Sequence, residues 1–185
     1  MIGYHYWSFY CRFRDFVKTA LKSTVKDQEK LLNQIQWLYK YVSLIDDKEY
    51  CHLCPLPDLH RGDVILVELG ENLGMEFSGQ HPAVVLRDSS PSIDQVFCLP
   101  LTSKKPKGYN PKKKGIYLEF RRIPGLKGYR HPTRAVHPNN GKHWCNILNV
   151  RNVSKRRIVC PPIPHKMDGD DLTAISKAIK KQIAI

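Results

Sequence analysis

Residues 61–88 read RGDVILVELGENLGMEFSGQHPAVVLRD, which places two apolar runs on either side of a polar, glycine-containing loop. The runs at 63–69 and 82–88 are rich in valine, isoleucine and leucine, a composition typical of β-strands. The glycines between them favour a loop that connects the two strands. His81 precedes Pro82 where this loop becomes the second strand, so the stretch predicts a strand pair with a histidine at its corner.

The strand-like pattern continues towards the C-terminus. Four further short runs are rich in β-branched and aromatic residues, and connections rich in glycine, proline and asparagine separate them. These runs cover residues 95–101, 115–122, 144–150 and 153–159. Five or six short strands in a domain of about 100 residues predict a small β-barrel or sandwich.

Helices are predicted at both ends of the chain. Residues 168–183 predict a C-terminal helix, because aspartates at its start and lysines near its end complement the helix dipole. Between residues 26 and 47, apolar side chains recur at steps of four and three and form one stripe: Leu31, Ile35, Leu38, Val42 and Ile45. The stripe covers only two heptads, so we expect it to pack on its own domain rather than form a coiled coil.

The segment before the first predicted helix, residues 4–16, mixes aromatic residues with arginines. We expect it to dock the helix onto the strand-rich domain, and stacking on nucleic-acid bases is the alternative. Pro55 and Pro57 follow the helical region and are typical of a linker. We therefore divide the chain into an N-terminal helical extension with its linker, residues 1–57, and a strand-rich domain, residues 58–185.

Basic charge is concentrated in the strand-rich part of the chain. The formal net charge is +13, and residues 58–185 carry 22 of the 30 Lys and Arg residues against 11 acidic residues. Between 104 and 157 there are 16 basic residues and a single acid, Glu119. Such a field favours a polyanionic partner such as nucleic acid, because binding releases phosphate counterions. A solvated basic surface that keeps the protein soluble is the plainer alternative.

The cysteines and the apolar runs bear on compartment and cofactors. Arg12, Arg14 and Asp15 interrupt the apolar start before a signal peptide is complete, and no apolar run approaches the roughly 18 residues of a membrane span. We expect a cytoplasmic protein with reduced thiols and no membrane association. Cys51 and Cys54 have the spacing of half a zinc site, but no second half follows, so we expect no metal and no cofactor.

Four separated segments resemble the PemK/MazF family of toxin endoribonucleases, in the family's order. They are the opening stretch at 61–88, CLPLTSK at 98–104, NVRNVSKRRI at 149–158 and the acidic-start helix DGDDLTAISKAIKKQI at 168–183. The likeness covers about residues 58–185 and leaves 1–57 outside. It implies a mainly β fold with flanking helices, a small SH3-like barrel of the CcdB/PemK type. It also implies a homodimer that cuts single-stranded RNA without a metal and is neutralised by a cognate antitoxin.

The resemblance also implies two catalytic positions. Thr102 matches the family's threonine and its hydroxyl is expected to bind a phosphate oxygen, although without the family context a hydroxyl that closes a strand end is equally plausible. His81 stands where the family has arginine. Histidine transfers protons near neutral pH but lacks the permanent bidentate clamp of arginine on phosphate. Three interpretations follow: His81 is an acid–base group, it only binds RNA, or it is structural in an inactive site.

The remaining candidates surround these two. Glu76 matches the family's loop acid and is expected to orient His81 or Thr102, a solvated loop carboxylate being the alternative. Arg87, six residues after His81, supplies the missing positive charge only if the strand is short or bent. We expect three groups to bind RNA: Arg87, the residues that follow Thr102, and Arg151 of the family's "I-R-T" strand. For Arg151 we expect a structural role first and RNA binding second. The residues that follow Thr102 are Ser103, Lys104, Lys105, Lys107 and Tyr109, whose ring is expected to stack on a base.

Overall fold

The computed structural model describes residues 2–50, 56–70, 72, 76–106, 109, 116–120, 142–163 and 166–183. The side chains of residues 2–9, 20, 43–50, 160–163 and 183 are not described. The chain forms two compact units, Met1–Cys51 and His52–Ile185. The boundary that we placed between residues 57 and 58 stays a prediction.

The N-terminal unit contains helices α1 (Ile2–Leu21) and α2 (Val25–Tyr50). Thr24 starts α2, because its hydroxyl accepts the backbone N–H of Asp27 at 3.4 Å and donates to the Asp27 carboxylate at 2.7 Å. These contacts lower the pKa of the Asp27 carboxyl, the side-chain hydrogen bond from Thr24 being the main cause. The helix predicted at 26–47 is confirmed, and the aromatic-rich segment before it is helical as well.

The apolar stripe of α2 is only partly covered. Leu31 is buried at 5% exposure, whereas Ile35, Leu38 and Val42 expose 40%, 44% and 47% of their surface. The fifth member of the stripe, Ile45, lies outside the described side chains. Packing of this face on a domain of the same chain therefore stays a prediction.

The C-terminal unit contains a sheet and a final helix. In chain order its elements are β1 (Val64–Glu68), β2 (Gln80–Val85), β3 (Gln95–Thr102), β4 (Tyr117–Phe120), β5 (His143–Asn146), β6 (Arg151–Ser154), β7 (Ile158–Ile163) and α3 (Gly169–Ile183). All strand pairs among the described residues are antiparallel. This confirms the mainly β class with flanking helices.

The described strands follow the order β4-β5-β3-β2-β1-β7, and β6 pairs with β3 beside this path. Within the described part of the chain the path is open, with β4 and β7 at its ends. The sheet is thus shown, and closure into an SH3-like barrel stays a prediction.

The strand predicted at 144–150 is wrong in its second half, because β5 ends at Asn146 and a 3-10 turn follows at Ile147–Asn149. The single strand predicted at 153–159 is wrong as well, because the chain forms β6 and β7 there with a 3-10 turn at Lys155–Arg157 between them. Lys155 is 2% exposed, and its ammonium donates to the carbonyls of Pro57, Ser89 and Ser90 at 2.7–2.8 Å. A lysine ammonium has three donors, so these three acceptors satisfy it fully. Desolvation lowers the pKa of Lys155. The turn between β6 and β7 therefore carries a lysine whose ammonium is held by three backbone carbonyls.

Two apolar clusters are built from side chains that alternate along the strands. One cluster joins α3 to the sheet and includes Val64, Val84, Leu99, Leu101, Phe120, Leu172 and Ile175. The other includes Leu59, Ile65, Val67, Leu69, Ala83, Val85, Val96 and Cys98. Strands that contribute to both clusters have continuous apolar runs, as seen at 64–67 and 82–86.

The segment Arg61-Gly62-Asp63 ties the start of β1 to α3. Gly62 has φ +93°, and a Cβ placed on it would lie 3.0 Å from Cδ1 of Leu172. The Arg61 guanidinium donates to the hydroxyl of Ser176 at 2.9 Å and to the carbonyl of Leu172 at 3.4 Å. The motif that opens the family-like stretch is therefore structural in this chain, and it fixes the strands on which the candidate site lies.

Candidate active site

The loop between β1 and β2 is closed at its base. Gly70 and Gly79 both have φ +78°, and the N–H of Gly79 donates to the carbonyl of Gly70 at 2.7 Å. The side-chain amide of Asn72 donates to the carbonyls of Leu69 and Phe77 at 3.3 and 2.6 Å. Left-handed backbone of this kind favours glycine. The loop is thereby folded back so that Phe77 lies against His81.

His81 lies near the start of β2 and is held on two sides. Its Nδ1 lies 3.0 Å from the carbonyl oxygen of Leu101, and its ring centroid lies 4.8 Å from that of Phe77 in an edge-to-face arrangement. A carbonyl oxygen only accepts hydrogen bonds, so Nδ1 carries the proton. The neutral imidazole then has its lone pair on Nε2, which is the nitrogen suited to accept a proton from a substrate.

Thr102 ends β3, the strand that pairs with β2. Ala83 is paired with Pro100; His81 lies two residues before Ala83 and Thr102 two residues after Pro100, so alternation puts both side chains on the face of that pair. His81 also contacts the carbonyl of Leu101, the residue before Thr102. Side chains opposite each other in an antiparallel pair point to the same face. The Thr102 hydroxyl oxygen accepts the backbone N–H of Lys104 at 3.1 Å, so its O–H can donate to a ligand oxygen. The structure thus brings the two predicted catalytic positions together.

Strand pairing continues from Thr102 on β3 across β5 and β4. Thr102 pairs with Trp144, and Trp144 pairs with Glu119. Thr102, Trp144 and Glu119 therefore lie in one line across three neighbouring strands, at successive spacings of roughly 4.8 Å, and His81 on β2 extends this line on the same face. We call this line the transverse row. Trp144 and Glu119 were not singled out as site residues from the sequence, although the sequence did mark Glu119 as the single acid within 104–157.

The other predicted residues lie at different distances from this row. Glu76 is exposed, and its carboxylate forms an ion pair with the Arg151 guanidinium at 3.4 Å. Arg151 in turn pairs with Cys98 on β3. An orienting contact from Glu76 to His81 or Thr102 stays a prediction.

Arg87 is exposed in a bend after the end of β2. The prediction that Arg87 supplies positive charge beside His81 stays a prediction. Ser103 is half-buried, Lys104 and Lys105 are exposed, and the Lys105 ammonium lies 5.7 Å from the centre of the half-buried Tyr109 ring. Lys107 lies outside the described residues. The RNA-binding roles of all these side chains stay predictions.

Thiol and metal chemistry receive little support from the described residues. Burial raises the pKa of Cys98 and of Cys145 to about 12, so both thiols are neutral near pH 7. Where the structure describes the chain, no group of three or more His, Cys, Asp or Glu side chains is placed to hold a metal. Cys51 and Cys54, the half zinc site of the sequence, lie outside that part.

Of the helices whose residues are described, none is long and apolar enough to cross a membrane.

The family model of the PemK-like, MazF-like toxins of type II toxin–antitoxin systems matches residues 60–183. The chain belongs to this family. The match confirms the resemblance of the sequence to PemK/MazF toxins. It includes all seven described strands and α3 and leaves α1 and α2 outside the PemK/MazF region. No curated protein sequence matches the chain.

Solved structures of MazF proteins are also similar to this PemK/MazF chain. MazF (Form-I) from Deinococcus radiodurans is 16% identical, with a TM-score of 0.47 over 70% of this chain and 99% of that one. MazE-MazF (Form-II) from the same organism is 14% identical, with a TM-score of 0.44 over 70% and 98%. An endoribonuclease in complex with its cognate antitoxin from Mycobacterial species is 14% identical, with a TM-score of 0.42 over 69% and 96%.

Proposed function

We propose that this chain is a metal-independent endoribonuclease that cuts single-stranded RNA as the toxin of a toxin–antitoxin pair. The observation that carries the proposal is the contact of His81, near the start of β2, with the carbonyl of Leu101, the residue before Thr102 at the end of β3. The fixed Nδ1–H of His81 gives this pair a proton acceptor and a hydroxyl donor on one face of the sheet. The family membership of residues 60–183 supports the same conclusion.

The reaction that fits this pair is attack of the ribose 2′-oxygen on the adjacent phosphorus. The bond from phosphorus to the 5′-oxygen breaks, which leaves a 2′,3′-cyclic phosphate and a 5′-hydroxyl. His81 accepts the 2′ proton at Nε2, water donates a proton to the departing 5′-oxygen, and the imidazolium then returns its proton to the hydroxide that is formed. The Thr102 hydroxyl donates to a non-bridging oxygen, where negative charge develops.

The surrounding basic residues support binding of the RNA strand. Lys104 and Lys105 are exposed directly after Thr102, and Arg151 lies on the neighbouring strand β6. Glu76 restrains Arg151 through their ion pair, which makes it a positioning group in this proposal. We further propose a cytoplasmic homodimer and a cognate antitoxin protein as partner, both by analogy with the family.

The test is a cleavage assay on a long single-stranded RNA with EDTA present. We expect the full chain to cut, and His81→Ala and Thr102→Ala each to abolish most of the activity. His60→Ala is the matched control, since His60 is exposed and its described contacts use only the backbone. His81→Arg restores the residue type of the family and tells whether the site still accepts a phosphate clamp.

The outcomes separate two functions. Cleavage that survives both alanine substitutions would remove the catalytic pair from the mechanism. RNA binding that weakens steeply with salt, without cleavage of any RNA, would identify a nucleic-acid-binding domain that has lost catalysis. A chain that neither cuts nor binds RNA would overturn both assignments.

A further inference from the structure

Four side chains beside the catalytic pair form a compact group that we call the Glu119 cluster: Tyr109, Glu119, Lys142 and Trp144. The Glu119 carboxylate accepts hydrogen bonds from the Lys142 ammonium and, at 3.2 Å, from Nε1 of Trp144. The ring of Tyr109 lies edge-to-face on Trp144 with 6.5 Å between centroids. The cluster therefore ties the segment that follows Thr102 to strands β4 and β5.

The ionisable groups of the cluster shift one another's pKa values. The hydrogen bond from Lys142 is the main cause that lowers the pKa of Glu119, and Glu119 in turn raises the pKa of Lys142. Burial, followed by the Glu119 carboxylate, raises the pKa of the Tyr109 hydroxyl. Near neutral pH the cluster thus holds a carboxylate, an ammonium and a neutral phenol. In the segment 104–157 Glu119 is the single acid, so this balance depends on it.

The position of the cluster links it to the reacting phosphate. Glu119 and Trp144 belong to the transverse row that contains His81 and Thr102, and opposed side chains in that row share a face. Glu119 lies two strands from Thr102, which is about 10 Å. A base whose phosphate is held at Thr102 can reach across this distance.

The groups that the cluster presents outward are donors and a ring. The oxygens of Glu119 accept from Lys142 and Trp144, whereas the Lys142 side chain is 54% exposed and has further N–H groups. The Tyr109 ring is half-buried with Trp144 on one side and the Lys105 ammonium 5.7 Å from its centre. Such a surface stacks a base and donates to its edge. At the major-groove edge of the base, guanine O6 and uracil O4 accept hydrogen bonds, whereas adenine N6 and cytosine N4 are amino groups.

We infer that the Glu119 cluster is a nucleobase subsite that selects a keto base, guanine or uracil, in a nucleotide next to the cleaved phosphate. Glu119 is its positioning residue, because it fixes Lys142 and the Tyr109 side chain without touching the reacting atoms. The inference rests on the proposed function for the identity of the substrate, single-stranded RNA.

The first measurement uses oligonucleotides that cannot be cut. Equilibrium binding of 2′-O-methyl oligouridine and oligocytidine to the full chain compares two single-stranded ligands that differ only in the group at C4 and in the proton on N3. We expect uridine to bind at least about 5-fold more tightly, the lower end of discrimination by a well-placed donor. Glu119→Gln and Lys142→Met should reduce this ratio to below about 2-fold, whereas Lys142→Arg should keep it.

The second measurement uses cleavage. The cut sites of a long RNA are mapped, and substrates with each of the four bases at the neighbouring position are compared. In Glu119→Gln, KM for keto-base substrates should rise while kcat stays within about 2-fold, because the reacting atoms are untouched. Lys177→Met, on the exposed side of α3, is the matched control, and circular dichroism shows whether each variant is folded.

The two hypotheses fail differently. Equal affinity of the wild-type chain for uridine and cytidine, or an unchanged preference in Glu119→Gln and Lys142→Met, would overturn the keto-base subsite even if RNA is cut. A uridine preference that Glu119→Gln removes, without cleavage of any RNA, would support the subsite and overturn the endoribonuclease. If the chain binds neither oligonucleotide, both the keto-base subsite and the endoribonuclease are overturned.

Discussion

The imidazole of His81, which we predict to occupy the position of a family arginine, is held on two sides in the structure. Its Nδ1 donates to the Leu101 carbonyl and its ring edge meets Phe77. An arginine at this position would offer phosphate a permanent bidentate clamp, whereas the histidine offers one proton acceptor at Nε2. The three interpretations that the sequence leaves open, an acid–base group, an RNA-binding group and a structural residue, stay predictions, and the first is the one that we propose.

Thr102 allows a prediction at the scale of one hydroxyl. Thr102→Val removes the donor but keeps the β-branched shape that suits a strand end. We expect kcat for RNA cleavage to fall about 100-fold, as for removal of one oxyanion donor. Thr102→Ser should remain within about 10-fold of the wild type in the same steady-state assay, a smaller effect than loss of the donor. A valine variant with wild-type kcat would remove the hydroxyl from the mechanism.

Gly62 allows a prediction about stability. Its φ of +93° and the 3.0 Å approach of a Cβ to Leu172 both oppose a larger residue. We expect Gly62→Ala to lower the free energy of unfolding by about 1–3 kcal/mol, measured by urea denaturation. Gly169→Ala is the control, because no atom lies within 4 Å of its added Cβ, and it should change stability by less than about 0.5 kcal/mol. Equal effects of both substitutions would contradict the backbone argument.

Strand β3 organises the site at the scale of secondary structure. Its eight residues pair with β6 over Gln95–Cys98, with β2 over Cys98–Pro100 and with β5 over Leu101–Thr102. One strand thus aligns the elements that carry Arg151, His81 and Trp144. A change of one residue in the register of β3 would turn Thr102 to the opposite face.

Lys155 allows a prediction about the connection between β6 and β7. Lys155→Met keeps the apolar stem but leaves the carbonyls of Pro57, Ser89 and Ser90 without this donor. We expect a loss of about 2–4 kcal/mol in the free energy of unfolding, since unsatisfied buried acceptors are costly. Lys180→Met, at an exposed position of α3, is the control. Thermal melts that coincide for the two variants would argue against the buried ammonium as an anchor.

The charge of the whole molecule favours a polyanion, and the structure describes part of that charge on the surface beside the catalytic pair. Lys104 and Lys105 are exposed after Thr102, and Lys142 is exposed beside Glu119. The two helices of the N-terminal unit lie outside the family match and are close to neutral, with 8 basic and 6 acidic residues in 1–57. RNA binding is therefore expected to depend on the C-terminal unit.

The salt dependence of binding tests this distribution. For single-stranded RNA each neutralised phosphate contributes about 0.7 to the slope of log affinity against log salt concentration. The double substitution Lys104→Gln and Lys105→Gln should lower the slope by about 1.4, measured by fluorescence anisotropy of a labelled oligonucleotide. Lys180→Gln with Lys181→Gln removes the same charge from α3 and should leave the slope unchanged. An equal decrease of the slope in both double variants would show that only the net charge of the protein matters.

The local properties of this chain follow from the sequence by itself. Apolar and β-branched runs predict β1 to β5, and the acidic start and lysine-rich end predict α3, because these signals act over a few residues. The prediction fails at 153–159, where the buried ammonium of Lys155 depends on carbonyls from residues 57, 89 and 90. A contact across such separations leaves no pattern in the segment itself.

The tertiary structure alone decided which side chains form the candidate site. His81 and Thr102 were found through the family motifs, but nothing local relates them to Trp144 and Glu119. Alternation fixes the face on which each side chain lies, whereas strand order and register decide which side chains become neighbours. Because β3 pairs with both β2 and β5, the row from His81 to Glu119 exists only once the sheet has formed.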